Sequence, residues 1–387
     1  MPLHSSLSLP REGFTIDVLG RILKHTALNP VITLPLLLLA RFTQKGQGLT
    51  AAHPKLLKHL KTLLYLGLAD RISAWLDRNA ANNWTRDDTW DWSDSGNELV
   101  VVTGGSDGIG KEIVLQLAAR GIRVAVLDIQ APTWTDDAAA ANLPTVYYAH
   151  CDLSSPPSID AALAAVRTHF AGREPTVLIN NAGVCFGKPL LETPPQLVRK
   201  TFAVNTLAHF DLAQRLLPSM IARDHGMVVT VASQAAFVAA PLLADYAASK
   251  AAALALHEAL AAELATVYNA PRVRTVAVCQ NYTRTRLFEG FKEGDGWVNY
   301  TLHPQTVAEA VVGKVLGGES GLVVLPAAGW WVSAKVRGWP LWMQVGLRKR
   351  CVELMQGWKG RVVEQGREEE DGNDAGKEAG VGEEKAA

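Results

Sequence analysis

From residue 98 onward, short runs of β-branched and other apolar residues alternate with longer Ala- and Leu-rich stretches in which apolar positions recur at helical spacing. In order the chain reads LVVVT, a helical stretch from about Gly110, VAVLD, TVYYAH, a helical stretch after Ser158, TVLIN, another through Leu212, MVVTVAS, another after Tyr246, VRTVAV, a last helix near TVAEAVVGKVL and the run GLVVLP. Strands separated by segments of helix length need crossover connections, which are right-handed and leave the strands parallel. Such a sheet is covered by helices on both faces, so its strands are apolar at successive positions. The pattern predicts one doubly wound α/β domain over residues 98–326, with no internal repeat.

The pattern changes on either side. NPVITLPLLLLARF, residues 29–42, is too apolar for a linker, yet it is interrupted by Pro35 and falls short of the about 20 residues a spanning helix requires. PKLLKHLKTLLYLGLADRISAWL then sets basic and apolar residues at the spacing of a helix lying in a membrane interface. Together they predict an N-terminal membrane-associating helical segment within residues 1–97, as a monotopic hairpin or an in-plane anchor. A helical layer docked on the α/β domain is the other arrangement the pattern admits. A cleavable secretory signal does not fit, because the apolar run starts late and lacks a small-residue cleavage site. NNWTRDDTWDWSDSGN, ending at residue 97, has neither period and reads as a linker.

Beyond the domain, residues 327–360 form an extension in which Trp330, Trp331, Trp339 and Trp342 stand beside lysines and arginines. That composition suits a membrane interface, an apolar lid or a dimer surface. Residues 361–387 read as an acidic, disordered tail.

With 387 residues and 48% hydrophobic content the chain is large enough for one big core or two ordinary ones. Its formal net charge is zero, but residues 1–80 carry ten Lys/Arg against four Asp/Glu and residues 366–387 three against eight. A basic start suits an anionic surface, and no global nucleic-acid signature follows. Cys151, Cys185, Cys279 and Cys351 lie far apart without metal-ligand spacing, which points to reduced packing thiols facing the cytosol and to no metal.

Parallel sheets bind ligands at the carboxyl ends of their strands. After LVVVT comes a T-G-x-x-x-G-x-G turn, Thr103, Gly104, Gly108 and Gly110, with Ser106 and Ile109 within it, between a strand and a helix. Glycines there let a pyrophosphate approach the free N–H groups of the helix start. VAVLD puts Asp128 eighteen residues after Gly110, where a carboxylate accepts both hydroxyls of an adenosine ribose and repels a 2′-phosphate, favouring NAD over NADP. Asp152, after the third strand, either touches the adenine or caps the next helix. Asn181, Ala182 and Gly183, following Asn180 at the end of the fourth strand, offer amides to brace neighbouring strand ends and small side chains to floor a flat cofactor.

Ser233 closes MVVTVAS, and YAASK sets Tyr246 and Lys250 four apart on one helical face. The three can converge on one substrate oxygen. A phenol is too weak an acid to act as a base at neutral pH, but an adjacent ammonium favours its phenolate, so Lys250 is expected to lower it. Asn205, in FAVNTLAHF, is expected to anchor a water chain behind Lys250, or else to be a polar residue bonding within its helix.

In this order and spacing TGGSDGIG, Asp128, NNAG, Asn205, Ser233 and YAASK resemble the short-chain dehydrogenase/reductase family across the whole middle domain. The resemblance implies a Rossmann-type sheet of strand order 3-2-1-4-5-6-7 and a catalytic tetrad of Asn205, Ser233, Tyr246 and Lys250. It also implies hydride transfer between a nicotinamide and a carbinol or carbonyl carbon, with Lys250 reaching the nicotinamide ribose and Thr285 contacting the carboxamide. The cofactor is expected to be NAD, with NADP as the alternative, and a homodimer through the Tyr246 helix is the association implied. One departure stands out: the family usually has Pro-Gly after the sixth strand, where this chain has Gln280 and Asn281. Both flanks make the chain most similar to the membrane-associated retinol and hydroxysteroid dehydrogenases of endoplasmic reticulum and lipid droplets. A lipophilic alcohol or carbonyl is the implied substrate, with Phe288, Phe291 and Trp297 on a lid-like loop. An NADPH-linked lipid ketone reductase and a non-catalytic nucleotide-binding scaffold are the rival readings.

Overall fold

The computed structural model describes residues 9–93, 98–132, 134, 145–292, 296–355 and 357–359. Four helices come first: α1 (Ile16–His25), α2 (Pro30–Phe42), α3 (Gln44–Ala52) and α4 (Leu56–Ala81). Seven strands follow, β1 (Leu99–Thr103), β2 (Arg123–Asp128), β3 (Val146–His150), β4 (Val177–Asn180), β5 (Gly226–Val231), β6 (Val273–Gln280) and β7 (Gly321–Leu325). Between them run α5 (Gly108–Ala118), α6 (Pro156–His169), α7 (Pro195–Phe202), α8 (Ala208–Arg223), α9 (Ala244–Thr266) and α10 (Pro304–Gly317), and α11 (Leu341–Arg350) comes last. The strands pair in parallel in the order β3-β2-β1-β4-β5-β6-β7, as the resemblance implied.

β1 explains why the strands read as unbroken apolar runs. Leu99 and Val101 point into a core shared with α6, α8 and α9, while Val100 and Val102 point into a second core shared with α5 and α10. Each such side chain contributes about 1.5–3 kcal/mol on burial, so the strand ends that carry the chemistry sit on a rigid frame.

The N-terminal helices are fastened to this frame at their ends. Glu12 accepts from the Thr306 hydroxyl at 2.6 Å and the His303 amide at 3.0 Å, capping α10. Asp17 accepts from the Tyr300 hydroxyl and the amides of Ala327 and Ala328 at 2.6–2.8 Å. Asn29 caps α2 by accepting from the Val31 amide, and Pro35 lies within that helix rather than ending it. Val31, Leu39 and Phe42 are more than half exposed. Among the described residues no single helix is long and apolar enough to cross a membrane; α1 and α2, bent by 50°, reach that length and apolarity only together.

The aperiodic stretch after α4, expected to be a linker, is docked where it is described. Arg274, 1% exposed, donates to the carbonyls of Asn82 and Thr85, and Trp90 stacks on Trp92 while tilting against His225. Aromatic packing and local turns built on Asp87 and Asp91 hold it, and neither leaves a period in the sequence. Residues 94–97 and the acidic tail, 361–387, lie outside the described residues.

Candidate active site

Residues at the carboxyl ends of all seven strands surround one cavity of about 870 Å³. At one end lies the glycine turn. Gly104 adopts φ +64°, and an added Cβ would stand 2.8 Å from the Ala182 Cα, so a side chain there would collide with the end of β4. At Gly110 a Cβ would strike the Gly104 carbonyl oxygen and lie 2.5 Å from Asn181 Nδ2. Helix and turn therefore approach as closely as backbones can, leaving the first amides of α5 facing the cavity. Asp107 caps the helix by accepting from the Gly108 amide at 2.8 Å.

Hydrogen bonds lock this turn to its neighbours. Thr103 Oγ1 accepts from the amides of Asn181 and Ala182, and Asn181 Nδ2 donates to the carbonyls of Thr103 and Gly104, all at 2.9–3.0 Å. Asp128 accepts from the amides of Ser106 and Gln130, and the Ser106 hydroxyl donates to the Gln130 carbonyl. Asp128 still lines the cavity, flanked by Ile129 and Gln130 rather than by a cation. Asp152 lines the cavity and accepts from the amide and hydroxyl of Ser154 in the turn before α6, without capping that helix, whose N-cap is Ser155.

At the other end Ser233 follows β5, and Tyr246 and Lys250 lie on the buried face of α9. Lys250 Nζ donates to the Val231 carbonyl at 2.8 Å and lies 5.9 Å from the centre of the Tyr246 ring. Burial pushes the ammonium down to about 8, against an opposing pull from Cys279 and Cys185. Burial also pushes the Tyr246 phenol up, reinforced by Cys185, while a hydrogen bond from the Ser233 hydroxyl pulls the other way. The expectation that Lys250 lowers the phenol is thus reversed here: both groups have lost water, and that loss penalises the phenolate more than its neighbours favour it.

Most of the expected residues meet at the cavity: Gly104, Gly108, Ile109, Asp128, Asp152, Asn181, Ala182, Gly183, Ser233, Tyr246, Lys250 and Thr285 all line it. Thr103, Ser106, Gly110 and Asn205 stand behind that lining. Asn205, fully buried in a π-helical turn (Ala203–Leu207), accepts from the Val184 amide and donates to the Val184 carbonyl and the Ser249 hydroxyl. Both its N–H bonds are spent on protein acceptors, so its side chain braces β4 against α9 instead of reaching for solvent. Trp297 is also displaced from its expected place; it pairs with Phe14 at 5.7 Å, whereas Phe288 meets Tyr246 edge-on at 5.8 Å.

Residues not foreseen complete the apolar end. Cys185 and Leu243 pack with Tyr246, and so does Met355, whose neighbour Trp358 belongs to the same cluster. Leu347, Cys351 and Leu354 also line the cavity. Cys185 follows the asparagine-rich strand end and Leu243 stands just before Tyr246; Leu347, Cys351, Leu354, Met355 and Trp358 lie about a hundred residues beyond it, with only a tryptophan-rich composition as a signal.

A glycine cradle at a helix start, a carboxylate at the end of β2 and a Ser-Tyr-Lys group at the other end fit a nicotinamide dinucleotide stretched between them. The site is that of an oxidoreductase working between alcohol and carbonyl. Comparison with known proteins agrees: the family model for short chain dehydrogenase matches residues 98–296, and this chain belongs to that family. Dehydrogenase RED2 of Cochliobolus heterostrophus is 42% identical over 217 residues, covering 56% of this chain and 78% of the relative. Epidermal retinol dehydrogenase 2 of Homo sapiens is 32% identical over 222 residues, covering 57% and 71%. Among solved structures, an alcohol dehydrogenase from the archaeon Thermococcus sibiricus complexed with 5-hydroxy-NADP superposes with a TM-score of 0.51 at 25% identity, covering 59% of this chain and 95% of that one.

Proposed function

We propose that this chain interconverts a lipophilic alcohol and its carbonyl, of retinoid, steroid or fatty-alcohol type, at the surface of the endoplasmic reticulum membrane or a lipid droplet. The observation that carries the reading is the apolar wall at Tyr246, formed by Cys185, Leu243, Leu287, Phe288, Phe291 and Met355. Such a wall gains nothing from a polar substrate and binds an apolar one by removing its surface from water.

The bound nicotinamide supplies or accepts the hydride. The glycine turn and the first amides of α5 would hold its pyrophosphate, Asp128 its adenosine ribose, Lys250 its nicotinamide ribose and Thr285 its carboxamide. With Asp128 facing the ribose and no cation beside it among the described residues, NAD is preferred to NADP. Ser233 donates a hydrogen bond to the substrate oxygen. Tyr246, held protonated by burial, gives its proton to that oxygen in carbonyl reduction; in oxidation it must take the proton back, which needs the charge of Lys250 beside it. Asn205 keeps the end of β4 and α9 in register for both.

The exposed apolar residues of α2 and of α11, where Leu341 and Trp342 project from the first turn and Arg348, Lys349 and Arg350 occupy the last, support attachment to a lipid surface. Four free cysteines suit a catalytic domain on the cytosolic side, and a homodimer through α9 belongs to the same reading. The test is turnover of a retinoid, steroid and fatty-alcohol panel by membrane-bound protein with each nicotinamide cofactor. Conversion of an apolar member supports the reading; tight NADH binding with no conversion of any member would leave a nucleotide-binding scaffold instead.

A further inference from the structure

His225 stands between α8 and β5, at the opposite end of the parallel sheet from the cavity. Its ring reaches two other parts of the chain. Nε2 lies 3.1 and 3.3 Å from the two carboxylate oxygens of Glu98, just before β1, and Nδ1 lies 2.8 Å from Thr89 Oγ1, in the connector that follows α4. The same hydroxyl lies 2.6 Å from Asp87 Oδ1, which also accepts the Thr89 amide at 3.0 Å. Asp87 Oδ2 is 4.0 Å from Nδ1 and has no hydrogen-bond partner among the described residues. The side chains of Asp87 and Glu98 are 0% and 6% exposed, so two carboxylates are closed in around one imidazole.

Three hydrogen bonds link Asp87, Thr89, His225 and Glu98 in a row, and the threonine hydroxyl has one hydrogen to give. When it goes to Asp87, Nδ1 must donate to Thr89 and Nε2 to Glu98. Given to Nδ1 instead, it would leave the Asp87 and Thr89 oxygens 2.6 Å apart with nothing between them. The imidazole therefore carries a proton on each nitrogen. Trp90, its ring centre 4.3 Å from that of His225, adds an aromatic face to the cation. The other charges around the cluster do not take the place of His225. Arg272 and Arg274, beside and within β6, both attract Asp87, but Arg272 bonds to Asp224 and is also drawn to Asp88, while Arg274 donates to the carbonyls of Asn82 and Thr85.

We propose that His225 is a proton-dependent clasp, which as imidazolium ties the connector to the start of β1 and the end of α8 and, on losing a proton, lets residues 87–93 undock. A neutral ring donates to one neighbour only, so either the Thr89 arm or the Glu98 arm is given up. Carboxylate partners gained on docking favour the charged ring; the clasp is therefore closed at low pH and loosens as pH rises through the range in which histidine titrates. Arg274 keeps its hold on residues 82 and 85 throughout, so the loosening stops short of α4.

Hydrogen exchange of the full-length protein, corrected for the intrinsic rate at each pH, reads the Thr89 and Asp91 amides, which donate to Asp87 and Glu98. Their protection is expected to fall about tenfold or more between about pH 6 and about pH 9, as loss of a charge-assisted hydrogen bond implies. The Thr85 amide, bonded to the Asn82 carbonyl, should not change. His225→Gln, which cannot be protonated, is expected to exchange at every pH as the unaltered protein does at high pH. Where that variant does not fold, Thr89→Val, which breaks the arm to Asp87 and keeps the histidine, is expected to reduce the pH-dependent change about twofold or more. Flat protection in the unaltered protein, or an undiminished fall in either variant, overturns the clasp. A fall shared by the Thr85 amide does so as well, since it would report general loosening of the domain.

Discussion

Trp358 donates its indole N–H to the Leu287 carbonyl at 2.9 Å. Beside that bond the Lys292 amide donates to the Leu354 carbonyl at 3.1 Å and the Lys359 amide to the Glu289 carbonyl at 2.7 Å, so the segment after α11 is tied to the loop that walls the cavity at Tyr246. It is part of the site rather than an appendage. Trp358→Ala is expected to raise KM for an apolar substrate about fivefold to tenfold, through the lost apolar contact area, with dinucleotide affinity unchanged. An unchanged KM would mean that substrate does not use this wall.

Tyr246 is the proton carrier in the scheme. Tyr246→Phe keeps the ring and its edge-on contact with Phe288 but removes the hydroxyl. It is expected to lower kcat by about 10²–10⁴-fold, the usual contribution of a positioned acid–base group, while NADH affinity stays level. Turnover near that of the unaltered enzyme would remove Tyr246 from the chemistry.

Lys250 is held in the fold at a cost. Its folded value of about 8 lies below the ordinary 10.5, so between these pH values the folded protein binds fewer protons than the unfolded chain, and stability rises with pH across that window. Below it the penalty is present in full. Lys250→Met, similar in length and uncharged, is therefore expected to abolish turnover yet raise stability at pH 7 by about 1–3 kcal/mol, an advantage that shrinks toward pH 10. Denaturant melts of both proteins at pH 7 and pH 10 check this. A destabilised variant at pH 7 would show that the bond to the Val231 carbonyl outweighs the buried charge.

The parts of this molecule that were legible in the sequence are those whose cause is local. The strands announced themselves because the five inner ones, β2, β1, β4, β5 and β6, are buried on both faces, and the glycine turn, Asp128, Asn181 and the Tyr246–Lys250 pair because their spacing is set by one strand end or one helix face. What was missed depends on contacts distant along the chain. Trp90 and Trp92 look like linker residues until they stack on each other and Trp90 meets His225, and nothing near Met355 or Trp358 says that they return to Tyr246. The Tyr246 phenol was misjudged for the same reason: a nearby ammonium can be read from spacing, but the desolvation that outweighs it belongs to the assembled cavity.

In the proposed reading Asp128 carries the cofactor preference. Its carboxylate is also an acceptor for the Ser106 and Gln130 amides, so Asp128→Ala removes both a turn contact and a charge. NAD turnover is expected to fall and NADP turnover to rise, changing the ratio of the two kcat/KM values by about tenfold or more, because the group removed is the one that repels a 2′-phosphate. An unchanged ratio would place the preference elsewhere around the adenosine.

Attachment to a lipid surface is best tested without deleting the N-terminal segment, since Glu12 and Asp17 bind α10 and the turn after β7 and their loss would disturb the domain itself. Val31, Leu39 and Phe42 on α2 are exposed instead, so glutamates there leave the core untouched. The triple variant is expected to keep its melting temperature within a few degrees, as exposed substitutions usually do. Binding to phosphatidylcholine–phosphatidylserine vesicles in flotation should fall by about tenfold or more, because three carboxylates would have to enter the acyl boundary. If the variant floats as well as the unaltered protein, α2 is not the anchor; if neither floats, the exposed apolar face has some other partner and the lipid-surface reading fails.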